Sequence, residues 1–355
     1  MKNKSFKDRL YTLIKESTKY TYPEKGDELF PNFDQPVEID NCLFKRFAKF
    51  KRALRILKKN YDIKGLEYTY NNLSDEYSKE IFLRVIARPL FKKISLRFPL
   101  YYSTCWKNLT KYENYIVKDE NIKRIGQKFD IYNLKGLGHD VNLLYSPTGI
   151  LINYDLEQYR YKNEVFAKES DFVIDGGACY GDTAVYFANT VKESGKVFSF
   201  EFIKENLEIY NKNMELNPNL NNRIELIKRP LGTTSNNKLY AIENGPGSCI
   251  TDKKTEENAE EFLSLSIDDL VKERNLEKID FIKLDIEGAE LATLKGAVNT
   301  LKKHKPNLAI CVYHKTSDLW EIPRFIKETV PEYKLYLDHF TITPWETVLF
   351  AKAEK

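Results

Sequence analysis

No stretch of the 355-residue chain stays apolar for the roughly 18 residues that suggest a membrane span, and its start, MKNKSFKDRLYTLIKE, lacks the apolar core of a secretory signal. The expectation is a cytoplasmic protein. Cysteine is sparse too: Cys42, Cys105, Cys179, Cys249 and Cys311 are odd in number, scattered and never spaced C-x-x-C, which argues against a disulfide framework and against a zinc knuckle. Excess charge of one sign is also lacking. A formal net charge of +4 is small for this length, so no nucleic-acid partner is expected and any electrostatic role must be local.

What is present suits a folded enzyme. Hydrophobic residues make up 42% and charged residues 30%, a balance that can bury a core and excludes disordered or fibrous classes. The length predicts two domains. Residues 1–36 are polar and end in the loop-like PNFDQP. Over residues 41–60, Leu43, Phe44, Phe47, Phe50, Leu54 and Leu57 recur at helical spacing among lysines and arginines, predicting a basic amphipathic helix. Its ordinary form is a helix packed on the domain with a solvated outer face; peripheral contact with an anionic membrane is the alternative. LSDEYSKEIFLRVIARPLFKK predicts a second helix with Ser74 as N-cap, a stripe of Ile81, Phe82, Val85 and Ile86, and a break at Pro89. Tyr101 to Asp140 reads as mixed helix and loop, and VNLLYSPTGILINY as a hairpin turning at Ser146–Gly149.

From Asp171 onward strands and helices alternate: FVID, a helix from Thr183, KVFSFE, a helix from Lys204, RIELIKRP, KIDFIKLD, a helix from Ala289, NLAICVYH. The pattern predicts a parallel sheet covered by helices on both faces. YKLYLDH and ETVLFAK follow with a short link, which suits antiparallel neighbours. A further hairpin is expected around Lys238–Tyr240 and Ser248–Thr251.

The first strand runs into VIDGGACYGDT, where Asp175 ends the strand and Gly176, Gly177 and Gly181 form the turn before a helix. Glycines let backbone approach a ligand, and the helix start offers unpaired N–H groups. The spacing is Asp-x-Gly-x-x-x-Gly rather than Gly-x-Gly-x-x-Gly, and an anion there suits a cationic ligand better than a pyrophosphate. Glu201 ends the second strand, where a carboxylate can accept from a ribose diol. In KLDIEGAE, alternation puts Lys283, Asp285 and Glu287 on one side of a strand end, and His314 ends the strand expected alongside. GPGSCI could form a lid over the cofactor or a plain turn. Tyr313 and Trp320 near His314 and Lys315 suit a sugar face, or else an ordinary helix start capped by Ser317 with Trp320 packed in the core.

DGGACYGDT (175–183), SFE (199–201), GPGS (245–248), SIDDL (266–270), IDFIKLDIEGAE (279–290), LKGA (294–297), VYH (312–314) and ETVLFA (346–351) together resemble the FkbM-type family of S-adenosylmethionine-dependent O-methyltransferases, over roughly residues 165–353. Cys179 stands where many methyltransferases have glycine. The resemblance implies an α/β, class I methyltransferase (Rossmann-like) fold: a mostly parallel sheet ending in an antiparallel hairpin, preceded by a mainly α-helical extension. The expected domains are a helical region 1–140 for substrate recognition or oligomerisation, a connecting hairpin 141–164, and a catalytic domain 165–355. It implies that Asp175, Gly176, Gly177, Gly181, Asp182, Thr183, Glu201, Phe202 and Gly232 surround S-adenosyl-L-methionine, with Asp285 near the transferred methyl group. His314, Asp285 and Glu287 are the candidate catalytic residues, His314 leading because its ordinary pKa lies nearest neutrality. A divalent metal held by Asp285, Glu287 and His314 is the less favoured use of the same groups. The expected acceptor is a hydroxyl of a carbohydrate or nucleotide-linked sugar, in surface glycan biosynthesis. A nucleotide-sugar oxidoreductase on a Rossmann sheet and a non-catalytic module on the same fold are the alternatives, and a homo-oligomer is open.

Overall fold

The structure is a computed structural model describing residues 5–18, 20–21, 37–38, 43–91, 108–124, 126–242, 247–254, 260–341 and 343–353. PNFDQP, Cys42, Cys105 and the Gly245-Pro246 turn lie outside the described residues. Among the described residues, no helix is long and apolar enough to cross a membrane.

The chain divides into two compact units. One comprises residues 1–108, 312–325 and 334–349; the other comprises 109–311, 326–333 and 350–355. The division differs from the expected boundary at residue 140: residues 109–140 fall in the second unit, and residues 312–325 and 334–349 fall in the first.

The first unit is helical at its N-terminal end. α1 (Phe6–Ser17) is closed by a capping box, Ser5 accepting from the Asp8 amide and Asp8 accepting from the Ser5 amide, and buries Phe6, Leu10 and Ile14. The i, i+4 spacing of those three residues was the signal for a helix in a stretch read only as polar. α2 (Leu43–Asn60) is the expected basic helix, but its inward face is Ala53 and Leu57, while Phe44 and Phe47 point to solvent. α3 (Ile63–Asn72) and α4 (Glu76–Ala87) follow. The N-cap of α4 is Asp75 rather than Ser74: its carboxylate accepts from the Ser78 amide at 2.7 Å, and a charged acceptor there also meets the positive end of the helix dipole. Ile81, Phe82 and Ile86 are buried as expected, Leu83 taking the place of half-buried Val85. Helical geometry tightens at Arg88–Leu90, around Pro89.

The second unit holds the centre of a seven-stranded sheet. Its strands are β4 (Phe172–Gly176), β5 (Lys196–Phe200), β6 (Ile224–Ile227), β10 (Phe281–Leu284), β11 (Asn307–Cys311), β12 (Lys334–His339) and β13 (Thr347–Lys352), in the order β12-β13-β11-β10-β4-β5-β6. The pairs β11–β10, β10–β4, β4–β5 and β5–β6 are parallel. β12 and β13 are neighbours joined by residues 340–346, too short a link for a parallel crossover, so the sheet ends in the expected hairpin. The fold is that of a class I methyltransferase, with a helical N-terminal region. α6 (Asp182–Val191) follows β4, α7 (Lys204–Leu216) follows β5, and the helix expected from Ala289 is two, α9 (Glu290–Lys295) and α10 (Val298–His304), interrupted at Gly296-Ala297. The remaining helices are α5 (Pro147–Ile150), α8 (Ile267–Glu273) and α11 (Asp318–Thr329).

Two smaller sheets complete the second unit. Residues expected as helix and loop form β1 (Ile116–Arg124) and β2 (Gln127–Asn133), paired antiparallel, with β3 (Asn142–Tyr145) on the other side of β2. The expected hairpin over 141–154 is therefore wrong in its second arm. Ser146 caps the Gly149 amide and Pro147 occupies the first turn of α5, which continues as a π-turn over Leu151–Asp155; a Ser-Pro start favours helix over strand. The hairpin expected near residue 240 is present as β7 (Lys238–Ile242) with β8 (Cys249–Thr251), and gains a third strand, β9 (Glu261–Leu263), on the far edge of β7.

Asn213 of α7 and Asn217, its C-cap, fasten β3. Asn213, fully buried, accepts from the Leu144 amide at 2.7 Å and donates to the carbonyls of Leu144 and Tyr180; Asn217 pairs in the same way with the amide and carbonyl of Asn142. Both dock a strand through backbone groups that would otherwise lie unpaired. Replacing Asn213 by Leu leaves these groups buried without partners, at about 1–3 kcal/mol each way. Urea unfolding of Asn213→Leu is expected to show a stability loss on the order of 2 kcal/mol or more, and an unchanged midpoint would show that β3 is held by packing alone.

Candidate active site

A row of polar side chains crosses the middle of the parallel sheet. Register places Lys283 on β10 beside Asp175 on β4, and Asp175 beside Ser199 on β5. The surrounding strand residues are apolar and buried on both faces, as in parallel sheets generally. Asp175 is 0% and Lys283 1% exposed. The Lys283 ammonium lies 3.2 Å from Asp175 and donates to the carbonyls of Gly176 (3.0 Å) and Gly177 (2.6 Å). Both oxygens of Asp175 accept from the Thr183 hydroxyl (3.0 and 2.9 Å), and the Tyr210 hydroxyl donates to Ser199. Burial works to lower the Lys283 pKa, but the attraction of Asp175, then of Asp285 and other neighbours, outweighs it and holds the ammonium above its ordinary range.

This row fixes the glycine turn. Gly177 has φ +78°, and a Cβ there would fall 1.9 Å from the Asp285 carbonyl oxygen, so only glycine lets the β4 turn and the β10 tip meet. Gly181, φ +77°, is the N-cap of α6. The next residue, Asp182, is buried, and the Asn153 amide donates to it at 2.5 Å. Burial raises its pKa to about 6, with Lys283 opposing.

At the strand tips a cleft of about 560 Å³, including its open mouth, is lined by Gly177, Cys179, Phe200, Glu201, Phe202, Ile203, Asn206, Arg229, Pro230, Leu231, Ser248, Ile250, Asp285, Ile286, Glu287 and Ala289. It opens where chain order reverses, between β4 and β10, the place at which open α/β sheets bind ligands. One oxygen of Glu201 accepts from the amides of Phe202 and Ile203 (both 2.7 Å), and the other from the Asn206 amide at 3.1 Å. Since a carboxylate offers about four acceptor positions, Glu201 is held rigidly and retains room for a donor. Burial raises its pKa, against the hydrogen bonds from Ile203, Asn206 and Phe202. The Tyr159 hydroxyl donates to Asp285 at 2.9 Å. Cys179 (φ 45°) and Glu287 (φ 53°) are both non-glycine residues in the left-handed region and both line the cleft; such strain concentrates where a backbone is shaped for a ligand. Phe202 packs on Phe262 of β9, ring centroids 4.8 Å apart, and Ser248 and Ile250, from the described end of GPGSCI, line the cleft wall.

Gly177, Glu201, Phe202, Asp285 and Glu287 of the expected site thus share one cleft. Asp175 does not reach it, because its charge faces Lys283 and Thr183 inside the protein, and Gly176, Gly181, Asp182 and Thr183 form the frame behind the lining. Gly232 also lies outside the lining, beside Ser264, while Pro230 and Leu231 take the position expected of it. β10 ends at Leu284, so the alternation that grouped Lys283, Asp285 and Glu287 stops short of Glu287, which sits in the following turn. His314 belongs to the first unit, beyond β11, its ring 4.2 Å from that of Tyr313. Trp320, offered as a sugar platform, is packed in the first unit near Tyr61, and a Cβ on Gly65 would touch its indole at 2.8 Å. Reading the sequence missed Tyr159, Asn153, Asn206 and Arg229. Arg229 ends the third strand's run and Asn206 follows Glu201 by five positions, so strand-tip logic could have found both; Asn153 lies in the segment misread as a hairpin and Tyr159 in the stretch that follows it.

A carboxyl group with a raised folded-state pKa binds its proton more tightly in the native protein. Asp182 therefore contributes stability that is fully present below its unfolded value near 4 and is lost as pH rises through about 6. Relative to Asp182→Asn, the wild-type protein is expected to lose on the order of 3 kcal/mol between about pH 4 and pH 7, measured by urea unfolding across that range. A stability gap independent of pH would place the Asp182 pKa near its ordinary value.

The family model described as the methyltransferase FkbM domain matches residues 175–338. No curated protein matches the chain significantly. Among solved structures, the methyltransferase FkbM from Methylobacillus flagellatus is similar, with 19% identity and a TM-score of 0.51, covering 85% of this chain and 61% of that one; this chain therefore spans less than two thirds of its length. The likeness is one of fold. An O-methyltransferase from Bacillus cereus in complex with SAH (12% identity, TM-score 0.33, 73% of this chain and 93% of that one) and the Aeropyrum pernix fibrillarin with natively bound S-adenosyl-L-methionine (12%, 0.32, 52% and 67%) are too distant to bear on the activity of this chain. Residues 175–338 thus match the FkbM methyltransferase domain, and the fold is shared with an FkbM methyltransferase.

Proposed function

We propose that the protein is an S-adenosylmethionine-dependent O-methyltransferase whose acceptor is a hydroxyl of a carbohydrate or nucleotide-linked sugar. The observation that carries the donor reading is the cleft at the chain-order reversal, with the pinned Glu201 carboxylate at one tip and Asp285 at another. A carboxylate held by two backbone amides and retaining acceptor capacity suits a ribose diol. Gly177 lets a ligand approach the backbone there, and Phe202, Leu231 and Ile250 supply apolar walls suited to an adenine ring. The domain's family supports the reaction class; the sugar acceptor and a role in surface glycan synthesis rest on the family resemblance.

When bound, the donor supplies a methyl group made electrophilic by a sulfonium. The chain has to orient the acceptor oxygen in line with that carbon and to take up its proton as the new bond to oxygen forms and the bond to sulfur breaks. Asp285, Glu287 and His314 are the groups proposed for that proton. The Tyr159 hydroxyl sets the orientation of Asp285 within its own unit. Tyr159 is proposed to aim the second Asp285 oxygen.

Isothermal calorimetry with S-adenosylhomocysteine tests the donor reading. Binding is expected for the wild-type protein and absent for NAD. Glu201→Ala is expected to weaken binding by about tenfold to a hundredfold, the worth of a hydrogen bond or two to a charged group, while His314→Ala binds normally and loses turnover with a methylatable sugar. Binding of NAD without S-adenosylhomocysteine would replace this reading with the oxidoreductase, and binding of neither would leave a scaffold.

A further inference from the structure

The outward face of α2 is inverted relative to an ordinary surface helix. Phe44 is 78% and Phe47 54% exposed, although large aromatics on an amphipathic helix normally turn inward. They sit at the start of a row spaced three and four apart, Phe44, Phe47, Lys51, Arg55 and Lys58, which lies along one face. Lys45, Arg52 and Lys59 flank it, and all these cations are exposed. α2 contains no acidic residue. Among the described residues Lys51, Arg52, Arg55, Lys58 and Lys59 form no ion pair; Lys51 instead rests over the Phe47 ring at 4.4 Å. Phe44, Phe47 and Phe50 of α2 line an open groove with Asp8, Tyr11 and Lys15 of α1.

We infer that this face docks the protein on a membrane surface containing anionic phospholipid. Charge complementarity selects the occupant. A helix with several unpaired cations and no acid is matched by a sheet of like negative charges, whereas a folded protein partner would present both signs. The chain's net charge is only +4 although α2 alone carries +8, so the rest of the chain sums to −4, unlike the broad basic footprint of a nucleic-acid binder. The phenylalanines supply the second requirement. Aromatic side chains among cations enter the boundary between headgroups and acyl chains, so attachment combines apolar burial with charge attraction. The inference concerns the first unit alone and does not depend on the donor or the acceptor.

The test is sedimentation of the full-length protein with vesicles of phosphatidylcholine, with and without phosphatidylglycerol, at low and high salt. Binding is expected only on the phosphatidylglycerol vesicles and should weaken as salt rises. Each neutralised cation near the surface is worth about fivefold, so Lys51→Gln, Arg52→Gln and Arg55→Gln together should lower the partition coefficient about a hundredfold. Phe44→Ser with Phe47→Ser should also weaken it, and should leave the residual binding more readily reversed by salt. Far-UV circular dichroism checks that the variants stay folded. Equal binding to neutral vesicles, no binding, or insensitivity to the charge variants overturns the inference. So does tighter association with a single-stranded RNA oligonucleotide than with the anionic vesicles, which would make the face a nucleic-acid surface.

Discussion

The central sheet of the second unit is organised around a single buried ammonium. Lys283 sits one residue before the end of the central strand β10, out of reach of water, and answers three acceptors at once: the Asp175 carboxylate and the carbonyls of Gly176 and Gly177. Two of those acceptors are the backbone of the turn that forms the cleft wall. A charge buried in a sheet interior is costly unless paired and hydrogen-bonded, and here the pairing is arranged so that satisfying the charge also sets the turn. Thr183 and Tyr210 complete the row from the helix side, so that β4, β5, β10, α6 and α7 are referenced to one line of polar atoms.

That arrangement separates roles that look alike in the sequence. Asp175 and Glu201 both end a strand and both carry a negative charge, yet Asp175 is spent on Lys283 whereas Glu201 lies in the cleft lining with acceptor capacity to spare. A carboxylate already neutralised by an internal ammonium has little left for a cationic ligand; one held only by amides keeps its charge available. The frame is therefore built from Asp175, Thr183 and Lys283, and the lining from Glu201, Asp285 and the strained turns at Cys179 and Glu287. Rigid support behind a lining is what allows ligand groups to be met without reorganisation.

Much of this was legible because strand tips announce themselves. Asp175, Glu201 and Asp285 each follow a short apolar run, and alternation of strands with helices forces those ends to one side of the sheet. The direction of a buried side chain is not written in that pattern. Nothing in KLDIEGAE says that Lys283 turns inward to bind carbonyls on a neighbouring strand, since lysine is usually exposed. The hairpin predicted over 141–154 failed for a different reason: apolar periodicity in GILINY is too short to separate strand from helix, and the Ser-Pro start that settles it was read as a turn. Asn153 was lost with that segment, and Tyr159 with the stretch that follows it. The stripe of α2 misled in turn, because helical spacing shows which residues share a face but not whether that face is covered.

If Lys283 is the reference on which the turn is built, removing it alone should strand a buried carboxylate, and removing its partner as well should relieve that. Urea unfolding of Lys283→Met, Asp175→Leu and the double variant measures this directly. The account predicts a loss of about 3–5 kcal/mol for Lys283→Met, most of it recovered in the double variant. Losses that simply add in the double variant would contradict it, since the two groups would then be acting independently.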